Sequence, residues 1–181
     1  MIATDVASVD TVSLRPFHVM FVIEINTRRV HLAGITTNPT GPWTTHTARN
    51  LLTRCNDQHR FRFLIRDGAA QSTKSFDDVF AAAGITVPRT PPHAPQANPF
   101  AQRSARTLRH QLLDRTLICN EAQLRRLLVA YLDHYNSHRP HRGIDQRAPN
   151  DTGDVVASRP CPQIERHTIC GGLINEYRTA A

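Results

Sequence analysis

The sequence predicts an α/β protein with a five-stranded mixed sheet, in which two parallel strands follow three antiparallel ones and helices flank the sheet. The first 35 residues are rich in β-branched and aromatic residues separated by polar turns, which is typical of a meander of strands. After residue 40, segments with apolar residues at helical spacing alternate with short apolar runs. This alternation indicates parallel strands that are joined by helical crossovers.

The predicted strands all lie in the N-terminal half of the chain. The meander consists of residues 2–9, 17–25 and 30–34, since apolar and β-branched residues dominate each of these runs. The fourth strand is expected at 61–65, where an apolar run stops at a polar turn. The fifth strand is expected at 85–89, immediately before a stretch that is rich in proline.

Two helices are predicted between these strands. The first begins at Thr40, and a shorter second helix is closed by Gly84. Their apolar side chains recur near helical spacing at Trp43, Ala48, Leu51, Leu52 and Cys55 in the first helix and at Phe76, Val79 and Phe80 in the second. Residues 90–99 contain four prolines and are therefore predicted to form a loop.

Two longer helices follow that loop. One is capped by Asn98 and runs to about Leu117, and the other is capped by Asn120 and ends before Pro140. The second has the clearest amphipathic pattern of the chain. Beyond residue 146 the composition shifts to Pro, Asp, Thr and Ser. We therefore expect a core domain at 1–146 and a linker with a C-terminal arm at 147–181, in which 171–181 docks weakly.

The charge of the chain indicates a nucleic-acid partner. Of its 22 basic residues only Lys74 is a lysine, and the formal net charge is +7. Arginine's planar guanidinium suits phosphate, although an arginine-rich composition without such a partner is the alternative. The longest apolar stretch falls far short of the roughly 20 residues of a membrane span. The N-terminal residues also lack the pattern of a secretory signal, so a cytoplasmic protein is expected.

Two carboxylates and an amide define the candidate site. Asp5 lies in the middle of the first predicted strand, Asp67 ends the fourth, and Gln102 lies one turn beyond the start of the helix that Asn98 caps. Sheets of this kind place functional residues at the carboxyl ends of strands. Acidic residues on neighbouring strands, with a third on a helix across them, can hold two Mg²⁺ ions for phosphoryl transfer.

Several stretches of the sequence also resemble a known family. They are Asp5, FVIEINTRRVHLAG, FLIRD ending at Asp67, APQANPFAQR and, most specifically, YLDHYNSHRPHRGIDQRAP. Together they resemble the integrase core domain of bacterial insertion-sequence DDE transposases, which are related to retroviral integrases. The resemblance covers roughly residues 1–150. It implies an RNase H-like fold and a metal-dependent polynucleotidyl transferase, with Mg²⁺ or Mn²⁺ held by an Asp, Asp, Glu triad.

The same resemblance implies a role for each candidate residue. The first two triad positions fall on Asp5 and Asp67, which would be the metal ligands, and the third falls on Gln102. Glutamate occurs in the chain only at positions 24, 121, 165 and 176, so none lies on this helix. An amide keeps one carbonyl oxygen for a metal but lacks the negative charge. The sequence therefore predicts a degenerate site with impaired catalysis.

A row of basic residues continues from Gln102 along the same helix. Gln102, Arg106 and Arg109 are spaced to share one face, and Arg103 borders it. A solvated face is the alternative, but the row begins at the third triad position, where a DNA backbone would have to pass, and phosphate contacts position DNA there. We therefore expect Arg103, Arg106 and Arg109 to bind DNA.

Three functions remain open on the sequence alone. The first is a DNA-binding protein of transposase descent that Gln102 impairs, and the second is a transposase that is still active. The third is a non-catalytic module that pairs with an intact transposase, or with a second copy of itself. His134 and His138, with His141 near them, have a spacing that zinc ligands can use, but no cysteine or carboxylate completes a zinc-binding set.

Overall fold

The computed structural model describes residues 1–54, 61–66, 73–88, 98–151 and 164–179. The strands are β1 (Ile2–Val9), β2 (Phe17–Glu24), β3 (Val30–Thr36), β4 (Leu64–Ile65), β5 (Ile164–Ile169) and β6 (Ile174–Thr179). The helices are α1 (Gly41–Arg54), α2 (Lys74–Ala82), α3 (Pro99–Gln111) and α4 (Glu121–Ser137). Asp67, Cys55 and residues 90–97 of the predicted loop lie outside the described residues.

The central sheet is mixed, and its strand order is β3-β2-β1-β4. β1 pairs antiparallel with β2, and β2 pairs antiparallel with β3, so the predicted meander is confirmed. β4 pairs parallel with β1, with Ile2 beside Leu64 and Ala3 beside Ile65. The crossover through α1 therefore returns the chain to the edge of the sheet next to β1, as the alternation of helix and strand predicted.

Within the described residues the central sheet has four strands rather than the predicted five. The expected fifth strand is reduced to one parallel bridge, in which Thr86 lies beside Phe63. The Thr86 N–H donates to the Arg62 carbonyl and the Leu64 N–H donates to the Thr86 carbonyl, each at 2.9 Å. Two residues later, Pro88 has no N–H to donate, which limits further pairing at that position.

Helices cover both faces of the central sheet. Side chains alternate along β1, so Ala3, Ala7 and Val9 pack on one face in a cluster with α3 and α4. Ile2 and Val6 point to the other face and pack in a second cluster with α1 and α2. The result is a three-layer arrangement of helices, sheet and helices. In the part of the chain that is described, no helix combines the length and apolar character that crossing a membrane requires.

α3 is shorter than the sequence predicted. It ends at Gln111 instead of near Leu117, and a 3₁₀ turn follows at Leu113–Arg115. Leu112 leaves the helical conformation with φ −125°, and both Leu112 and Leu113 are buried. Adjacent residues of a continuous helix point about 100° apart. The break in the helix therefore lets two consecutive leucines enter the core.

α4 is attached to the edge strand β3 by one side chain. The Asn136 amide makes two hydrogen bonds to the backbone of Val30: its Oδ1 accepts from the N–H and its Nδ2 donates to the carbonyl, each at 2.9 Å. β3 is the outer strand of the central sheet, where backbone groups lack a further strand to pair with. Asn136 therefore replaces a strand partner at this point. The start of α4 is confirmed as predicted, since the Asn120 Oδ1 accepts from the Gln123 N–H at 2.8 Å.

The C-terminal segment forms an antiparallel hairpin of β5 and β6. The hairpin contacts α4 through the buried Cys170 and through Glu176, whose side chain is only 2% exposed. Glu176 accepts hydrogen bonds from Arg178 at 2.7 Å and from the His134 Nδ1 at 3.1 Å. His138 on α4 lies 3.6 Å from the same carboxylate. A polar cluster thus joins the hairpin to the end of α4.

Candidate functional site

Asp5 lies in the middle of β1, opposite Phe21 of β2. Its side chain is partly exposed, and its Oδ1 accepts a hydrogen bond from the Val6 N–H at 2.8 Å. By alternation it shares the face of β1 that Ala3 and Ala7 use to pack against α3 and α4. The carboxylate is therefore on the side of the sheet that α3 covers.

Asn98 fixes the start of α3 beside Asp5. Its Nδ2 donates to the carbonyl of Thr4, the residue before Asp5, at 2.7 Å. The sequence predicted Asn98 as a helix cap, but its side chain makes no capping hydrogen bond. It is only 2% exposed, and its buried Oδ1 has no hydrogen-bond partner among the residues that the structure describes. The amide thus serves to attach the helix to the sheet.

Gln102 follows Asn98 by one helical turn and is exposed. The structure therefore brings the first and third predicted positions to neighbouring elements, with Asn98 as the link between them. Asp67 lies outside the described residues. The described end of β4 precedes it, and there Arg66 makes a two-pronged ion pair with Asp77 of α2, with both N···O distances at 2.8 Å. This pair holds the end of β4 against α2.

The described donor atoms at this site are oxygens, the ligand type that Mg²⁺ prefers. They are the carboxylate of Asp5 and the amide oxygen of Gln102. Among the residues that the structure covers, no group of three His, Cys, Asp or Glu side chains could hold a metal ion. The described oxygen donors have the chemistry that Mg²⁺ prefers, and Asp67, the second predicted carboxylate, lies outside the described residues.

Arg103 borders the face of α3 that Arg106 and Arg109 share, as helical spacing predicted. Arg106 and Arg109 are exposed on the side of α3 that bears Gln102. Arg109 lies 3.7 Å from Asp10 and 3.3 Å from Asp114, in exposed ion pairs that stabilise little. Arg103 lies toward an adjoining flank of α3, because a spacing of six residues puts it about 120° from Arg109 around the helix axis. The row of Gln102, Arg106 and Arg109 thus stays on one face, and its contact with DNA remains a prediction.

Arg103 lines a pocket that sequence reasoning did not identify. Three other arginines line the same pocket: Arg28, from the turn between β2 and β3, and Arg139 and Arg142, from the segment after α4. We call this the arginine pocket. The last two residues belong to the stretch HRPHRG, which was part of the family resemblance but had no assigned role. The HRPHRG stretch was therefore the sequence signal from which this pocket could have been found. Arg28 is distant in sequence, and only the fold brings it to the pocket.

The histidines at the end of α4 lie beside a carboxylate after all. Glu176 of β6 lies 3.1 Å from the His134 Nδ1 and 3.6 Å from the His138 Nε2, a contact that the sequence did not predict. Arg178 bonds the same carboxylate and supplies the positive charge there. This cluster joins two elements of the fold.

Solved structures with the same fold are integrases and transposases. A chain of the simian T-cell lymphotropic virus intasome in complex with PP2A regulatory subunit B56 gamma gives a TM-score of 0.68 at 13% identity, covering 92% of this chain and 58% of that chain. The present chain thus spans little more than half of that relative. The catalytic domain of Mos1 mariner transposase gives a TM-score of 0.58 at 13% identity. That match covers 72% of this chain and 68% of the transposase domain chain. The HTLV-2 integrase catalytic core domain in complex with magnesium, in a trimeric form, gives a TM-score of 0.55 at 9% identity. That match covers 82% of this chain and 91% of the integrase chain.

The fold is therefore that of the catalytic cores of integrases and transposases. Residues 83–149 match the family model described as integrase core domain. The resemblance to an integrase core domain is thereby confirmed over that segment, which contains Asn98, Gln102 and Asn136. No curated protein sequence matches the chain.

Proposed function

We infer that the chain is an integrase-core protein of transposase descent that binds DNA and has impaired metal-dependent strand transfer, because Gln102 occupies the third carboxylate position. In this proposal residues 1–146 form the core, and residues 147–181 form a linker and arm. The observation that carries it is the hydrogen bond from Asn98 to the Thr4 carbonyl, which sets the start of α3 beside Asp5. This is the arrangement that a site made from β1, the end of β4 and α3 requires.

Asp67 is included in the proposed site on two grounds. It is the second residue after β4, and β4 pairs in parallel with β1 just before Asp5. Asp5 and Asp67 would then be the carboxylate ligands of Mg²⁺, with Gln102 as a neutral third ligand. When bound, such ions activate the attacking and leaving oxygens in phosphoryl transfer. The residues of this chain supply one negative charge fewer than three carboxylates, so we infer weak metal binding.

Restoring that charge is expected to tighten metal binding. Gln102→Glu changes only the amide to a carboxylate, and we expect the dissociation constant for Mn²⁺ to fall at least about tenfold, or roughly 1.4 kcal/mol. Calorimetric titration of wild type, Gln102→Glu and Gln102→Glu with Asp67→Asn measures it, and the third protein should lose the gain. Asn50→Asp is the matched control, since it adds a charge on α1, on the other side of the sheet.

Equal Mn²⁺ affinity in the wild type and both Gln102→Glu proteins would show that these residues form no metal site. The proposed loss of catalysis through Gln102 would then be wrong. DNA binding would be unaffected by that result, because it depends on other residues of α3.

DNA binding is proposed to use the exposed flank of α3. Changing Arg106 and Arg109 to alanine should weaken binding to unrelated duplexes to the same extent, because phosphate contacts do not depend on sequence. The slope of log affinity against log salt should fall by up to about two units, near one per lost phosphate contact. Fluorescence anisotropy across a salt series measures both. Arg49→Ala with Arg126→Ala removes the same charge from exposed positions of α1 and α4 and serves as the control.

An unchanged slope in the Arg106 and Arg109 double variant would refute the role of these two side chains. An equal loss of DNA affinity in the Arg49 and Arg126 control would also refute this role. The loss would then follow from the lower net charge and not from the positions of Arg106 and Arg109.

A further inference from the structure

The arginine pocket has a volume of about 210 Å³ and lies between α3, the turn from β2 to β3, and the segment after α4. Four of the residues that line it are arginines, namely Arg28, Arg103, Arg139 and Arg142. The other described residues that line it are apolar, aromatic, hydroxyl-bearing or imidazole side chains, and none is Asp or Glu. It is therefore a concave, positively charged site.

Arg28 is held in the pocket by two neighbours. Its guanidinium stacks on the ring of Phe100, with 4.3 Å from Cζ to the ring centroid. Its Nη2 would lie 3.1 Å from a Cβ at position 143, where the chain has glycine. The absence of a side chain at Gly143 leaves the room that this guanidinium occupies. Arg28 itself has φ 65°, a conformation that is uncommon for a residue other than glycine.

Arg139 is positioned by the neighbouring helices. Its Nη1 donates to the Gln111 Oε1 at 2.6 Å, and its guanidinium lies over the Tyr135 ring at 5.4 Å. The Tyr131 hydroxyl donates to the same Gln111 oxygen at 2.9 Å. Burial raises the pKa of Tyr131 to about 12, so that this hydroxyl stays protonated as a donor. The pocket is thus built on a hydrogen-bonded support between α3 and α4.

The four arginines have no carboxylate partners among the described residues, in contrast to others in the chain. Arg66, Arg125 and Arg178 each lie within 2.9 Å of an acidic side chain. Arginine stays protonated at any ordinary pH, so the charges in the pocket repel one another. Burial lowers the pKa of His141, which also lines the pocket, and its Nε2 is buried without a partner. A bound anion would offset this repulsion.

Size and shape restrict the anion. The pocket is smaller than the roughly 300–1,000 Å³ of sites for drug-sized ligands. A single tetrahedral phosphate group fits such a volume, and its oxygens accept the paired N–H groups of guanidinium. The hydroxyl of Ser104 adds a further donor in the lining. A whole nucleotide would need more space.

We propose that the arginine pocket is a phosphate-binding site that holds one backbone phosphate of DNA. The site is separate from the Asp5 edge, because it uses the flank of α3 that faces away from Gln102. The proposal rests on the proposed function only for the source of the phosphate, which is DNA. A free phosphate ion has the same chemistry, and the experiment separates these two sources.

The first measurement uses inorganic phosphate and the full wild-type chain. Titration at constant ionic strength, followed by amide NMR shifts, should give saturable changes at Arg28, Ser104 and Gly143. Chloride at the same ionic strength should not reproduce them. Phosphate should also displace duplex DNA more effectively than chloride does. No variant is needed for this part, so it decides the existence of the site even where a substitution impairs folding.

The second measurement asks whether DNA uses the pocket. Arg28→Gln with Arg142→Gln should weaken duplex binding about tenfold and lower the salt slope by about one unit, as expected for one lost phosphate contact. It should also abolish the advantage of phosphate over chloride in displacement. Arg49→Gln with Arg126→Gln removes equal charge outside the pocket and should leave the slope unchanged.

The outcomes separate the pocket from the proposed function. DNA binding that survives the Arg28 and Arg142 double variant with the same slope, together with no saturable phosphate shifts, overturns the pocket and leaves DNA binding intact. Saturable phosphate binding in a chain that does not bind DNA overturns the proposed function and DNA as the source, and makes the free ion the ligand. Shifts spread over exposed arginines throughout the chain overturn the pocket as a defined site.

Discussion

Replacing Asn136 with alanine is expected to lower the free energy of unfolding by about 2–4 kcal/mol, because two backbone groups of Val30 lose their partner at once. Val30 is 6% exposed, so water has poor access to the N–H and carbonyl that the amide now satisfies. A buried group left without a hydrogen bond costs about 1–3 kcal/mol. Urea unfolding at neutral pH measures the change.

Asn50 provides the control for this substitution. It is exposed on α1, and its amide bonds only His46 of the same helix, so Asn50→Ala should change stability by less than about 0.5 kcal/mol. An Asn136→Ala protein as stable as Asn50→Ala would mean that the edge of β3 does not depend on this side chain. The presence of Asn136 in the YNSHRPH stretch would then not be explained by its contact with β3.

Replacing Glu176 with glutamine should release the C-terminal hairpin from α4 at neutral pH. The carboxylate accepts hydrogen bonds from Arg178 and His134 while almost fully buried, and the neutral amide cannot accept all of them. Hydrogen bonds to charged groups contribute about 1.5–3 kcal/mol, so we expect a loss of about 2–3 kcal/mol in hairpin docking. Amide hydrogen exchange in β6 measures this loss locally.

The effect of Glu176 should depend on pH in a defined direction. Burial alone would raise the pKa of this carboxyl, but hydrogen bonds from Arg178 and His134, with the charges of His138 and Arg178, outweigh it and lower the pKa below 4.5. A lowered pKa gives stability that is present above pH 4.5 and is lost as the pH falls through the folded-state value. The difference between wild type and Glu176→Gln should therefore shrink in acid.

Glu165 on β5 is the matched residue, since it is exposed and pairs with Arg178 only through the backbone register of the hairpin. Glu165→Gln should leave exchange in β6 nearly unchanged at every pH. A constant difference between wild type and Glu176→Gln from pH 7 to pH 3 would contradict the assigned role of the buried carboxylate.

The parts of the fold that the sequence predicted are those with strong local patterns. The meander has continuous apolar and β-branched runs, and α4 has a regular apolar stripe with Asn120 as its cap. The fifth strand was overestimated because the apolar content of 85–89 was given more weight than Pro88, which cannot donate a backbone hydrogen bond. The end of α3 was misplaced because periodicity continues through Leu112 and Leu113, although packing breaks the helix there.

Only those candidate site residues that belong to a recognisable sequence motif could be predicted. Asp5 and Gln102 were identified from the family pattern, and the structure sets their elements side by side. The attachment role of Asn98 and the pairing of Asn136 with Val30 depend on contacts between distant segments, which local patterns do not contain. The arginine pocket could not be predicted for the same reason, since its members come from three separate elements.

Position 28 couples two opposing demands on one residue. A left-handed backbone is most easily adopted by glycine, so a glycine there would relax the turn between β2 and β3. It would also delete one of the four cations and the stacking on Phe100. Selection for a more stable turn and selection for ligand affinity would thus favour different residues at this single site. The arginine at this position combines a left-handed backbone conformation with a positive charge in the pocket.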